Sequence, residues 1–166
     1  EVTPELVATP ADKSDIENLV KYANEHKREN PGLSITVRAA GTDMTGGSIN
    51  ESIILDVSKH INKIGEVEGE EIYVEPGAYY RDFERKTLEH DMILPCFTAS
   101  KGLCALGGMM GNNCAGEKTL RYGQMRRFVN ELSVVLRDGE TYSMKKLNRE
   151  ELESKKSQDN LEGEIY

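Results

Sequence analysis

Arg38-Ala39-Ala40-Gly41-Thr42-Asp43-Met44-Thr45-Gly46-Gly47-Ser48 is preceded by the β-branched run Ile35-Thr36-Val37 and followed by Ile53-Ile54-Leu55-Asp56-Val57. Both flanks read as buried strands, so the stretch is a loop between them. Gly, Thr, Asp and Ser dominate it. Such residues let successive backbone N–H groups turn the same way into a concave nest that suits an anion such as phosphate. The spacing of Gly41 and Gly46 imitates a Walker A loop. Gly47 stands where that motif needs lysine, however, and a strand follows where it needs a helix. No G-x-G-x-x-G occurs, so a Rossmann loop is excluded too. The competing reading is a flexible hairpin joining the two strands.

Working outward, Val2 to Thr9 reads as a short edge strand limited by Pro4 and Pro10. Ser14-Asp15-Ile16-Glu17 has the capping-box pattern, and Ile16, Leu19, Val20 and Ala23 keep helical spacing to about Asn30, before Pro31-Gly32. With strand Ser34 to Arg38 this makes a strand-helix-strand unit that delivers the glycine loop at a strand's carboxyl end. Ligands of layered α/β folds gather there. Glu66 to Glu68 and Ile72 to Glu75, around Gly69, read as a hairpin ended by Pro76-Gly77. Tyr79 to His90 reads as a surface helix with Tyr80, Phe83, Thr87 and Leu88 on one face.

Pro95 to Gly116 is the second glycine-rich region. It holds Gly102, Gly107, Gly108, Gly111 and Gly116 among small residues, which lets backbone approach backbone or a ligand closely at a cost in conformational entropy. The alternative is a tightly packed small-residue helix and turn. Beyond Arg121-Tyr122-Gly123, Asp138-Gly139 between Glu131–Leu136 and Thr141–Met144 is a strong hairpin signal. From Asn148 onward the chain is charged and poor in apolar residues, a helix or a loose tail.

A chain of 166 residues with 37% hydrophobic and 30% charged residues can bury a sizeable core. The net charge of −8, from 21 basic and 29 acidic residues, disfavours a nucleic-acid partner. No apolar run reaches membrane-spanning length, and no signal-peptide pattern opens the chain. Cys96, Cys104 and Cys114 include no C-x-x-C, which argues against a zinc site or disulfide framework and for free thiols in a reducing cytoplasm. His26, His60 and His90 lack ligand spacing, so no metal is expected.

Taken in order, these segments resemble the FAD-binding domain of the vanillyl-alcohol-oxidase-type flavoproteins, the FAD-linked oxidase or PCMH-type domain. Within it the chain looks most like the D-lactate, D-2-hydroxyglutarate and glycolate dehydrogenase branch. The family's R-G-x-G-T-x-x-x-G loop is matched by Arg38, Gly41, Thr42 and Gly46, with Ala39 replacing the first glycine. Pro76-Gly77 matches its V-x-P-G turn, and Leu94-Pro95 with Ala99-Ser100-Lys101-Gly102 resembles its next cofactor-facing segment. Gly107-Gly108, Asn112-Asn113 and Ala115-Gly116 resemble its I-G-G-x-x-x-x-N-A-G-G signature, with Cys114 inserted. The resemblance runs from about Glu5 to Met144.

The resemblance implies an α+β fold: a small strand-helix-strand subdomain, then a second, mostly antiparallel sheet with flanking helices, with FAD between. Residues 1–144 would be the N-terminal part of the FAD-binding domain (1–75 the first subdomain, 76–144 the start of the second), and 145–166 a charged tail. It also implies a cofactor site of Arg38, Ala40, Gly41, Thr42, Asp43, Met44, Thr45, Gly46, Pro76, Gly77, Pro95, Ala99, Ser100, Gly107, Gly108, Asn112, Asn113, Gly116 and Tyr122. Relatives that attach FAD covalently commonly carry a histidine at the loop position Thr42 holds here, so noncovalent FAD is expected. Relatives pass hydride from a hydroxyl-bearing carbon of a small hydroxy acid to the flavin. Their substrate base and carboxylate anchor come from a later cap domain that nothing after Met144 resembles. The resemblance therefore assigns no catalytic residue, and the chain alone should not turn over. It would act in the cytoplasm, or at a membrane surface through an electron-acceptor partner. The reading from another class is a noncatalytic nucleotide- or flavin-binding module of a larger assembly.

Overall fold

Ile53, Ile54 and Leu55 are apolar on both faces of a short extended run, the pattern of a strand covered on both sides. The computed structural model, which describes residues 2–166, buries all three, leaving Leu55 only 1% exposed. This strand, β3 (Ile53–Asp56), is the centre of a three-stranded parallel sheet of order β1-β3-β2, with β1 (Leu6–Ala8) and β2 (Ile35–Arg38) at its edges. The register sets Val7 and Thr36 opposite Ile54, and Arg38 opposite Asp56.

Helix α1 (Lys13–His26) makes the crossover from β1 to β2. Its N-cap is Asp12, two residues before the expected Ser14: one Asp12 carboxylate oxygen accepts from the N–H groups of Ser14 and Asp15 and from the Ser14 hydroxyl. A short carboxylate at that point satisfies two of the helix's free donors at once. The helix also stops earlier than its periodicity suggests. Glu29 and Asn30 both turn back onto the His26 carbonyl, and the Lys27 ammonium closes onto the carbonyls of Pro31 and Leu33.

β2 and β3 are parallel, so the connection between them is a crossover and not the flexible hairpin that was the alternative. A hairpin turn reverses direction, whereas parallel neighbours need a connection of roughly a dozen residues, usually helical. Residues 39–52 make this one without a helix.

The antiparallel part is divided. β4 (Ile64–Glu68) and β5 (Glu71–Val74) form one hairpin, β6 (Glu131–Val135) and β7 (Thr141–Lys145) another, and a single bridge pairs Tyr79 with Ala105. Between them α2 (Tyr80–Leu88) buries Tyr80, Phe83 and Thr87. Full burial of large apolar side chains contributes about 2 kcal/mol each. Ala78, Tyr80, Phe83, Cys96, Cys104, Leu106, Met109 and Met125 make one core, against which Ile64, Ile72 and Val74 of the first hairpin also pack. Around that core the second glycine-rich region supplies α3 (Leu106–Gly111), followed by α4 (Thr119–Tyr122) and a 3₁₀ turn over Met125–Phe128.

The charged tail is helical: α5 (Arg149–Lys156) has a full capping box of Asn148 and Glu151, and α6 (Leu161–Ile165) packs back so that Glu162 is buried against Lys155. An Arg137–Glu164 pair at 3.2 Å joins the tail to the β6–β7 turn. Among the described residues no helix is long and apolar enough to cross a membrane.

Candidate functional site

The loop leaving β2 turns on two glycines with positive φ, Gly41 at +67° and Gly46 at +88°. Between them the Asp43 carboxylate accepts from the Thr45 hydroxyl and from the Gly47 N–H, both at 2.7 Å. These donors, the Thr45 hydroxyl first, hold the Asp43 carboxyl below the ordinary carboxylate range. Asp43 thus spends its charge on shaping the loop. The Arg38 guanidinium folds over Gly41, where a methyl group would meet its Cζ at 2.5 Å, and donates to the Ser48 carbonyl at 3.3 Å.

Asn50 fixes the return into β3. It bonds the carbonyl and hydroxyl of Ser34 and accepts from the Ser52 N–H at 3.0 Å. The sequence reading passed over Asn50; its only signal was an Asn just before a strand, where such side chains hydrogen-bond nearby backbone. A cavity of about 210 Å³ lies beside the loop, lined by Arg38, Ser48, Ile49, Asn50 and Asp56 with the N-terminal Val2, Pro4 and Val7.

Among the described residues, the N–H groups of Ala40, Gly41, Thr42, Asp43 and Met44 donate to no protein acceptor. Met44 is 98% exposed. A row of unspent backbone donors beside glycines at positive φ is what an anion-binding concavity requires. The residues therefore fit the pyrophosphate of a dinucleotide.

The second region uses its glycines differently. A methyl group at Gly107 would stand 2.6 Å from Pro76 Cβ, one at Gly77 2.7 Å from the Ile61 carbonyl oxygen, and one at Gly116 would overlap the Phe97 carbonyl. The Gly107 N–H donates to the Pro76 carbonyl at 2.9 Å, and the Gly77 N–H to that of Ile61 at 2.8 Å. These three glycines weld backbone to backbone. Gly102, Gly108 and Gly111 instead face open space, and the Gly108 N–H has no protein acceptor among the described residues. Ala99 and Asn112 are exposed, while Ser100 is tied to Thr98 by a 2.9 Å hydroxyl contact.

Asn113, at φ +44°, braces the segment: it accepts from the Arg126 N–H at 3.0 Å and donates to the Gln124 carboxamide oxygen. Pro95 precedes the buried Cys96. Tyr122 is half-buried in a second cavity of about 290 Å³ with Glu117, Lys118, Leu120 and Arg121. The Arg121 guanidinium lies 5.2 Å from the Tyr122 ring centre. Lys101, inside the motif that resembles the family's cofactor-facing segment, is held by Glu84 at 2.9 Å.

Pro76, Gly77, Pro95, Gly107, Asn113 and Gly116 thus come together around one core. The Arg38–Ser48 loop stands apart from it, linked by the Val57 N–H to the Arg38 carbonyl at 3.0 Å and by the packing of Gly77 on residues 57–61. None of His26, His60 and His90 lies on either glycine region, and among the described residues no group of His, Cys, Asp and Glu is arranged to hold a metal.

A family model described as an FAD binding domain matches residues 4–145. The D-2-hydroxyglutarate dehydrogenase of Haemophilus influenzae is 29% identical over 87% of this chain and 14% of its own length. The glycolate oxidase subunit GlcD of Bacillus subtilis is also 29% identical, over 82% of this chain and 29% of its own length. The solved 6-hydroxy-D-nicotine oxidase of Arthrobacter nicotinovorans superposes with a TM-score of 0.73 at 23% identity, over 91% of this chain and 32% of that one. Glucooligosaccharide oxidase of Acremonium strictum, described with 6-S-cysteinyl, 8α-N1-histidyl FAD, gives 0.71 at 17% identity, over 87% and 30%. The chain thus spans less than a third of the length of each of these proteins.

Proposed function

The chain belongs to the FAD binding domain family, and from that premise we propose that it is the pyrophosphate-holding portion of an FAD-dependent oxidoreductase acting on a small D-2-hydroxy acid. The row of free N–H groups from Ala40 to Met44, shaped by Gly41, Gly46 and Asp43, carries this reading. Arg38 and the backbone of Ala40 through Gly46, including Thr42 and Thr45, contact the pyrophosphate. Ala99, Ser100, Gly108 and Asn112 line the second side. Pro76, Gly77, Pro95, Gly107, Asn113, Gly116 and Tyr122 hold that side in place by packing and hydrogen bonding.

Bound FAD supplies the electron sink, accepting hydride from the carbon that bears the substrate hydroxyl. This chain's contribution is to bind and orient the cofactor; the groups that hold the substrate carboxylate and take its hydroxyl proton belong to the rest of the enzyme. The hydroxy-acid assignment is supported by the relatives named for D-2-hydroxyglutarate and glycolate. Noncovalent attachment is supported by Thr42 on the loop and by the absence of histidine from both glycine regions. The residues from about 1 to 144 make up the cofactor-binding part, and the charged tail caps the β6–β7 end.

Titration of the protein with FAD, using ADP as competitor, tests the reading. Saturable flavin quenching reversed by ADP, with all flavin released on acid precipitation, is the expected result. A folded protein that takes up FAD unaffected by ADP sinks the pyrophosphate assignment, and flavin that stays with the precipitate sinks noncovalent attachment.

A further inference from the structure

Between the buried Cys96 and Cys104 the chain makes a turn with little core anchor of its own. Ala99 and Leu103 are exposed, and Gly102 faces open space. The backbone bonds of the turn are local: the Lys101 N–H donates to the Thr98 carbonyl at 3.1 Å, and those of Leu103 and Cys104 donate to the Ser100 carbonyl at 2.8 and 2.9 Å. A turn held only by such bonds opens at little cost in free energy. Its restraint comes from outside, from the first turns of α2.

The Arg81 guanidinium lies across the Tyr79 ring, 4.2 Å from its centre, and donates to the Gly102 carbonyl at 2.9 Å. Glu84, three positions on and so on the neighbouring helix surface, takes the Lys101 ammonium with both carboxylate oxygens, at 2.9 and 3.1 Å. The Glu84 side chain is only 17% exposed. Behind it the hydroxyl of the buried Tyr80 stands 3.3 Å from the carboxylate and 3.2 Å from the Leu94 carbonyl, which fixes Glu84 from the core side. A partly buried pair of this kind restrains more than an exposed surface pair does. The Lys101 ammonium also lies 4.8 Å from the centre of the Phe97 ring, within the range of cation–π attraction.

We propose that Arg81 and Glu84 are positioning residues: from α2 they clasp the Thr98–Cys104 turn, and so set where Ala99 and Ser100 stand beside the cofactor. They act through the Gly102 carbonyl and Lys101. The consequence for the cofactor rests on the FAD reading above; the clasp itself does not.

Amide exchange on the cofactor-free protein reads the clasp directly. In Glu84→Ala, and separately in Arg81→Gln, exchange at Lys101, Leu103 and Cys104 should rise about tenfold while core amides such as that of Met109 keep their rates. The charge swap Glu84→Lys with Lys101→Glu should restore most of the protection, which a mere packing role for Glu84 would not do. In titrations FAD affinity should fall about tenfold in each single variant, since the site is less preorganised, while ADP affinity, which reads the Arg38–Ser48 loop, holds. Unchanged exchange at the three amides, equal acceleration across the core, or a swap that restores nothing overturns the clasp. FAD affinity that stays level while the turn loosens, or ADP affinity that falls equally, overturns its role toward the cofactor. Wild-type protein with no FAD affinity sinks the FAD reading instead, and exchange alone then judges the clasp. Should Glu84→Ala fail to fold, Arg81→Gln, at an exposed position, decides.

Discussion

The two glycine-rich regions carry the same residue for opposite reasons. In the Arg38–Ser48 loop, Gly41 and Gly46 are there for their positive φ, and the loop leaves the N–H groups of Ala40 to Met44 unspent among the described residues. In the Pro95–Gly116 region, Gly107 and Gly116, with Gly77 before them, are there because another backbone occupies the place of their side chains. Glycine enrichment therefore does not by itself mark a ligand: two of the second region's five glycines are packing devices, and only those facing open space can be a seat.

The sharpest way to break this contrast is Gly116→Ala, in which the new methyl group meets the Phe97 carbonyl, a backbone atom that cannot swing aside. Overpacking of this kind costs about 3 kcal/mol, so thermal unfolding should shift down by many degrees irrespective of FAD. An unchanged melting temperature would mean that the segment is looser than described.

Gly41→Ala should separate the regions. Alanine in the left-handed conformation costs about 1 kcal/mol, and the Arg38 side chain can move aside. The stability loss is then modest, while FAD affinity, compared by titration under identical salt, falls by more than the stability change accounts for. Equal losses in both would make Gly41 only a turn residue.

Gly108→Ala goes the other way. Its methyl group enters open space on a helix, so the folded state should be unharmed or gain about 0.5 kcal/mol. Weaker FAD binding at unchanged stability would identify that open space as the cofactor's; unchanged binding would return Gly108 to the solvent.

The smallest effect is that of pH on the first loop. The Asp43 carboxyl is held below its ordinary value by the Thr45 hydroxyl and the Gly47 N–H. A lowered folded-state value means that its contribution is present above the ordinary carboxylate range, near pH 4, and is lost as pH falls through the lower folded value. Amide exchange at Gly47 should accelerate there, beyond its intrinsic pH trend, in the wild type but not in Asp43→Asn.

Much of the molecule follows from local pattern. The apolar run Ile53–Leu55, the Asp138-Gly139 turn and the period of Tyr80, Phe83 and Thr87 each name their element, because a strand, a turn and a helix face are decided by near neighbours. The ordered loops also located the FAD-binding family that the match over residues 4–145 bears out. Capping was legible in kind but not in place: Asp12, Ser14 and Asp15 compete for the same helix end, and only the geometry of the entering chain selects Asp12.

Sequence by itself determined the strands, most helices and the places of the glycine loops, since all of these depend on residue type and spacing. Tertiary structure alone decided that β2 and β3 run parallel and that Gly107 and Gly116 pack while Gly108 stays open. The physical reason is distance along the chain. Strand direction and the occupant of the space beside a glycine are set by segments many residues away, brought together only when the core around Tyr80 and Met109 closes.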